Sequence, residues 1–240
     1  MDRVEMETQM RGPTDRNMPL TAEQVTLIEA ALPHVAFDGW SNDALRAAGQ
    51  DTGIDQYEAK RLFPRGGVDL ALGFHKLGDQ RLSEALATSD LGTMRIRDRI
   101  THCVRKRIEV IADEREAVRR AASLLALPMY APEGARAMWR TADLIWDACG
   151  DTADDYNWYT KRAILSGVMS ATVLYWLGDQ DPELHATWAF LDRRIEGVMQ
   201  FEKTKAQIQN NPLGRAMMAV PTGLLNMLKP PRRPDQYPGA

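Results

Sequence analysis

The run Asn157-Trp158-Tyr159-Thr160-Lys161-Arg162 sets two large aromatics beside two cations. On a helix, Trp158 and Arg162 stand four residues apart and Tyr159 and Arg162 three, so rings and guanidinium share a face. A cation beside an apolar ring suits a phosphate or polar head group next to a greasy tail. The plainer alternative is a core aromatic with a surface arginine paired to Asp155. Either way the chemistry is recognition, because the run offers no nucleophile with an adjacent base.

The rest of the chain is equally poor in reaction chemistry. Its four histidines are His34, His75, His102 and His185, and none has Glu three residues before it. The Glu-x-x-His element of carboxylate di-iron bundles is therefore missing. The sequence also lacks His-Glu-x-x-His, paired CxxC, GxGxxG and G-x-S-x-G. No catalytic residue, no metal ligand and no cofactor is expected, and the chain reads as a binding protein rather than an enzyme. Cys103 and Cys149 fall inside apolar helical patterns, which makes them small buried hydrophobes in a reducing compartment.

A second recognition element stands near the C-terminal end. Residues 206–229 read as an amphipathic helix whose apolar face holds Leu213, Met217, Met218, Val220, Leu224, Leu225 and Leu228. Arg215 and Lys229 flank it, and Arg232 and Arg233 follow. Residues 205–240 carry five cations against Asp235, a net of +4, so the overall −3 leaves −7 for the remainder. An apolar face with basic flanks fits an anionic membrane interface. The alternative is a helix docked on its own bundle or on a dimer mate. Pro221 and Gly223 imply a kink.

These elements need a scaffold, and its pattern is helical throughout. At 240 residues, with 44% hydrophobic and 26% charged residues, the chain can build a substantial core. Its near-neutral charge shows no overall polycation for nucleic acid. No run reaches the roughly 18 apolar residues that would span a bilayer. Residues 1–20 read as a disordered N-terminus and 230–240 as a tail.

Thr21–Val35 places Val25, Ile28, Leu32 and Val35 on one face, and Ser41 is a good N-cap for a helix through Ala48. Met94–Ala112 repeats Ile96, Ile100, Val104, Ile108 and Ile111, with Arg95, Arg97, Arg99, Arg105, Lys106 and Arg107 on a solvated face. Thr152-Ala-Asp-Asp155 resembles a capping box opening a helix to about Leu177. A turn at Gly178–Pro182 leads into a helix from Leu184 to Lys205. The expectation is all-α, nine or ten helices, with a bundle over 76–205.

Residues 21–75 read as a helix-turn-helix unit. Ala44-Leu-Arg-Ala-Ala-Gly49 supplies the second helix and turn, and Arg61-Leu-Phe-Pro64 ends the third. This resembles the TetR family, which makes a ligand-responsive transcriptional regulator the rival reading. The candidate recognition helix argues against it. Residues 51–63 hold Asp51, Asp55 and Glu58 against Lys60 and Arg61, and carboxylates facing a polyanion are repelled.

Four strings carry a more specific resemblance: Ala31-Leu-Pro-His-Val-Ala-Phe-Asp-Gly-Trp40, Arg61-Leu-Phe-Pro-Arg-Gly66, Asp155-Tyr-Asn-Trp-Tyr-Thr-Lys-Arg162 and Thr187-Trp-Ala-Phe-Leu-Asp-Arg-Arg194. Together they look like the coenzyme Q (ubiquinone) biosynthesis accessory family known in eukaryotes as coenzyme Q protein nine. The resemblance implies a TetR/FadR-like helical bundle without DNA binding, usually a homodimer. It implies binding of phospholipid and isoprenoid quinone lipids in an apolar cavity, and association with the di-iron demethoxyubiquinone hydroxylase.

Arg162 falls where the family contacts a phospholipid head group. Trp158 and Tyr159, with Asn157 beside them, fall in the patch associated with the hydroxylase and lipid access. A cavity lined by residues such as Ile164, Val168, Leu174 and Trp188 is expected to take the apolar chain. Met1–Leu20 does not resemble a mitochondrial transit peptide. The expected location is therefore the cytoplasmic face of a bacterial inner membrane, or the matrix side of the mitochondrial inner membrane for a eukaryotic chain.

Overall fold

A computed structural model describes residues 19–153 and 156–210, with side chains over 19–153 and 157–200. Nine α-helices and one 3-10 turn, and no strand, occur among the described residues. They are α1 (Ala22–Asp38), α2 (Asn42–Thr52), α3 (Gln56–Leu62), α4 (Gly67–Ala87), α5 (Ile96–Glu109), α6 (Arg115–Leu125), α7 (Ala131–Ala148), α8 (Tyr156–Gly178) and α9 (His185–Asn210). The expected all-α class holds. Two compact units form, one from 19–84 with Val110–Ala137, the other from Ala85–Glu109 with 138–153 and 156–210.

The first unit is built from caps and close backbone approaches. Thr21 and Gln24 form a full capping box at the start of α1, satisfying amides that the helix leaves unbonded. Leu27, Ile28, Ala31 and Val35 are fully buried along this helix, so the inward face lies one step from the predicted one, where Val25 and Leu32 are only half-buried. Ser41 caps α2 as expected, accepting from the Ala44 amide.

The expected turn at Gly49 is not one. The helix runs on to Thr52 and stops at Gly53, whose φ of 71° is a left-handed conformation that glycine adopts without strain. Gly49 is needed for packing, since a Cβ there would meet the Ile54 carbonyl oxygen at 3.0 Å. Trp40 then locks the unit: its indole Nε1 donates to the Ala117 carbonyl at 2.9 Å, and its ring meets Phe74 at 5.1 Å. Gly67 opens α4 against this corner, where a Cβ would sit 2.2 Å from the Trp40 carbonyl oxygen.

In the second unit α9 packs on α8 and on α5. Ile100, Cys103, Val104 and Ile108 of α5 are buried, as are Leu165, Val168, Met169, Trp176 and Leu177 of α8 and Leu191 and Ile195 of α9. The α8–α9 turn is held by Asp179, whose carboxylate accepts from the amide and hydroxyl of Thr187.

The basic residues of α5 are not simply a solvated face. Arg107 is 5% exposed. Arg99 donates to the carbonyls of Gly92, Met94 and Cys149. Arg105 pairs with Asp192 and lies 5.2 Å over the Trp188 ring. Guanidinium groups with several donors are used here to tie loop carbonyls and helix faces together. Ile96, expected inward, is 44% exposed at the first residue of α5.

Candidate functional site

The aromatic run lands on the first two turns of α8, against α7. Arg162 is fully buried. Its Nε donates to Asp143 at 2.5 Å, one Nη to Asp151 at 3.0 Å and to the Trp158 carbonyl at 3.2 Å, and the other Nη to Asp147 at 3.4 Å. Helical spacing sets two of the carboxylates, since Asp143 and Asp147 are one turn apart on α7. Asp151 stands just past the end of that helix, beyond Gly150, whose φ of 79° turns the chain. Lys161 donates to the second Asp151 oxygen at 2.7 Å and covers the Trp146 ring at 5.2 Å. Burial alone would push the Asp151 carboxyl up. The hydrogen bonds from Lys161 and Arg162 outweigh it and hold the group below the usual aspartate range.

This charge cluster carries an aromatic one. The Arg162 guanidinium lies 4.0 Å from the Trp158 ring centre, a cation–π contact. Trp158 meets Tyr159 edge-on at 4.8 Å, and Trp139 of α7 lies 6.0 Å from Trp158 and 6.3 Å from Tyr159. All three rings are half-buried, so each keeps part of its surface in solvent. Such a patch is suited to non-covalent recognition of an apolar partner.

Trp158, Tyr159 and Arg162 are thus brought together, with half-buried Asn157 beside them. Further along α8, Ile164 is half-buried and Val168 is buried, and Trp188 of α9 sits under Arg105. Leu174, expected inside a cavity, is instead 64% exposed, and its neighbour Tyr175 stacks on Phe190 at 4.5 Å. An apolar count cannot assign a face on α8, where apolar residues occur all round. The pairing of Arg162 with Asp155, and the whole set Leu213, Met217, Met218, Val220, Leu224, Leu225 and Leu228, lie outside the described residues.

The position of Arg162 differs from what the resemblance led one to expect of a head-group ligand. Its guanidinium is already taken by three carboxylates, and a phosphate would have to displace one of them. Trp139, Asp143, Asp147 and Asp151 are the members of the site that sequence reasoning missed. The legible signal was the ladder Asp143-x-x-x-Asp147-x-x-x-Asp151, an acidic stripe that demands a cation opposite it. Among the described residues no group of His, Cys, Asp or Glu is arranged to hold a metal ion, and no helix is long and apolar enough to cross a membrane.

Known proteins match this chain in sequence and in fold. A family described as COQ9 matches over residues 131–202, the stretch that holds α7, α8 and most of α9 and hence the whole cluster. The ubiquinone biosynthesis protein COQ9, mitochondrial, of Rattus norvegicus is 30% identical over 213 residues, covering 85% of this chain and 68% of the rat protein. Its Drosophila melanogaster counterpart is 30% identical over 207 residues, covering 82% of this chain and 62% of the fly protein, so about a third of each relative's length has no counterpart in the alignment. In structure, a TetR transcriptional regulator from Nitrosomonas europaea superimposes with a TM-score of 0.60 at 16% identity, over 73% of this chain and 97% of that one. At that identity the likeness speaks for the fold alone.

Proposed function

The chain belongs to the COQ9 family of ubiquinone biosynthesis proteins, and on that premise we propose that it is a lipid-binding accessory protein rather than an enzyme. It binds isoprenoid quinone intermediates and presents them to the di-iron demethoxyubiquinone hydroxylase at a membrane surface, acting as a homodimer. The observation that carries this reading is the partly exposed trio Trp139, Trp158 and Tyr159, whose Trp158 ring lies on the buried Arg162, within the family-matching segment.

The physical problem is extraction. Each methylene taken from lipid into water costs about 0.8 kcal/mol, so a long isoprenoid tail needs a covered path. In this reading the amphipathic sequence over 206–229 lies in the interface of an inner membrane. Half-buried and buried apolar residues of α8, Ile164 and Val168 among them, meet the tail. The aromatic trio meets the hydroxylase. Arg162 acts through Trp158, whose ring it positions, and reaches a phosphate only by exchanging a carboxylate.

DNA recognition is not part of the proposal. Helix α3 has seven residues, is capped by Asp55, and spends Arg61 on an ion pair with Glu58. Major-groove reading needs free donors at such positions.

Two measurements test the proposal. Protein purified from cells that make quinone should yield isoprenoid quinone on solvent extraction and mass spectrometry, and protein devoid of lipid would overturn the carrier role. Trp158→Lys and Trp139→Lys should each abolish co-purification of the hydroxylase while leaving the helical circular dichroism unchanged. Retained co-purification would remove the trio as the docking surface.

A further inference from the structure

The turn between α6 and α7 gives the first unit an apolar point. Residues 121–132 carry no charge. Within 126–132 every residue but the half-buried Tyr130 is exposed, Leu127 to 45% and Met129 to 70%. A single exposed apolar side chain needs no explanation, but a contiguous set marks a contact.

The backbone of this turn is made for an apolar medium. Peptide groups enter lipid only when they are satisfied from within the chain. Here the Ala126 and Leu127 amides donate to the Ala122 and Leu124 carbonyls, and the Tyr130 and Ala131 amides both donate to the Leu127 carbonyl. The Glu133 and Gly134 amides donate to the Tyr130 carbonyl. Pro128 and Pro132 have no amide hydrogen to satisfy. The base is fixed as well. A Cβ on Gly134 would stand 3.1 Å from the Leu125 carbonyl oxygen, so glycine lets the first turn of α7 close on the last turn of α6 without displacing Leu125. Arg65, between α3 and α4, meets Glu133 at 2.8 Å. A point formed in advance loses little freedom on contact.

The charge behind it selects the partner. Residues 115–136 hold four arginines against two glutamates. Arg119 on α6 and Arg136 on α7 are exposed on either side of the turn. We propose that the α6–α7 turn is a membrane-contacting loop: Leu127, Pro128 and Met129 enter the surface of an anionic bilayer, with Tyr130 at the level of the head groups and the cations behind them facing lipid phosphates. A convex point needs a matching pocket on a protein partner, whereas fluid acyl chains close around any shape. The contact belongs to the first unit and uses none of residues 206–229, so it stands or falls apart from the membrane role proposed for them.

The experiment uses the full chain and vesicles of phosphatidylcholine, alone or mixed with phosphatidylglycerol. Met129→Cys is labelled with nitrobenzoxadiazole, whose emission brightens and shifts to the blue on leaving water. Cys103 and Cys149 are buried, and the unmodified chain treated in the same way gives the background. Tyr57→Cys, at a position 86% exposed on α3, is the control. The expected result is a blue shift at position 129, quenched by spin-labelled lipid, with none at position 57, and several-fold stronger on the mixed vesicles. A label at 129 that stays in water while the chain floats with the vesicles would overturn the proposal, as would a chain that does not float. Equal response on both vesicle types would overturn the anionic partner. A blue shift that grows with protein concentration in the absence of vesicles would give the turn to a second copy of the chain instead. In the unlabelled chain, Leu127→Asp with Met129→Asp should lower affinity for the mixed vesicles about tenfold and leave the helical circular dichroism unchanged. Unchanged affinity would count equally against the loop.

Discussion

The three-helix corner of the first unit and the α7–α8 corner of the second use charge in opposite ways. Around α2 and α3 the charged contacts are wet: Arg46 with Asp43 and Arg61 with Glu58 stand three residues apart and largely exposed, and His34 of α1 meets the exposed Asp51 of α2 at 2.6 Å. The two arginine pairs each stay on one helix and join nothing. Around α7 and α8 a guanidinium with no exposed surface gathers three carboxylates from a neighbouring helix and its trailing loop. The first corner is held by caps, the buried Trp40 and glycines that let backbones touch. The second is held by a desolvated charge that cannot lose its partners cheaply. The recognition surface rests on the second, which ties its geometry to an electrostatic state rather than to apolar packing alone.

The sharpest way to break this contrast is to remove the buried cation. Arg162→Ala leaves the nearly buried Asp151 with Lys161 and the Ala153 amide, and takes the shared guanidinium from Asp143 and Asp147. Removing one partner of a buried pair costs about 3–5 kcal/mol. The expected loss lies near the lower end, about 3 kcal/mol, because Asp143 and Asp147 keep 41% of their side-chain surface and can rehydrate. Urea unfolding followed by circular dichroism measures it. Arg162→Lys should recover only part, since an ammonium cannot serve three carboxylates in a planar fork. A loss no larger than that of an exposed pair would show that the two corners do not differ.

Next in size is the backbone contact at the first corner. Gly67→Ala drives a methyl group towards the Trp40 carbonyl, 2.2 Å from where the Cβ must sit, and no side-chain rotation relieves a clash with backbone. The expected cost is about 2 kcal/mol. The loss should be independent of pH and salt, unlike that at Arg162, and a salt-dependent loss would blur the distinction.

What the sequence made legible follows the same division. Local chemistry was readable: the caps Thr21 and Ser41, the helical period through Ile100, Val104 and Ile108, and the aromatic–cation run itself all appear where expected. Contacts set by tertiary packing were not. Gly49 reads as a turn residue but serves a close approach to Ile54 inside a helix. Arg107 reads as surface and is buried, while Leu174 reads as core and is exposed. The Arg162 partners sit 11 to 19 residues away, beyond the reach of helix-spacing rules.

Acid should separate the two corners more gently. Asp151 titrates below its ordinary value in the native state, so its unfolded form binds a proton more readily. The stability it supplies is fully present above the unfolded value, about 3.9, and is lost as pH falls through the lowered native one. Acidification below about pH 4 should therefore weaken the α7–α8 corner progressively. Near-UV circular dichroism of the tryptophans should change there before the far-UV helical signal falls. In Arg162→Ala that early change should shrink, because Lys161 remains as the other partner that lowers Asp151. Coincident loss of both signals in the unmodified protein would mean that the cluster does not titrate on its own.

The smallest effect belongs to the exposed pair. Glu58 and Arg61 lower and raise each other's proton affinity through their hydrogen bond, but both stand in solvent, where water and salt screen what they gain. Arg61→Ala should leave the urea midpoint where it was, within the scatter of repeat measurements, at low and at moderate salt. It also replaces a cation on α3 by a neutral side chain, which would weaken a helix that bound DNA through phosphate contacts. A shifted midpoint would make this exposed pair an electrostatic anchor of the first corner. An unchanged midpoint, together with no salt-dependent affinity for DNA before or after the change, keeps α3 as part of the scaffold and the recognition chemistry at the α7–α8 corner.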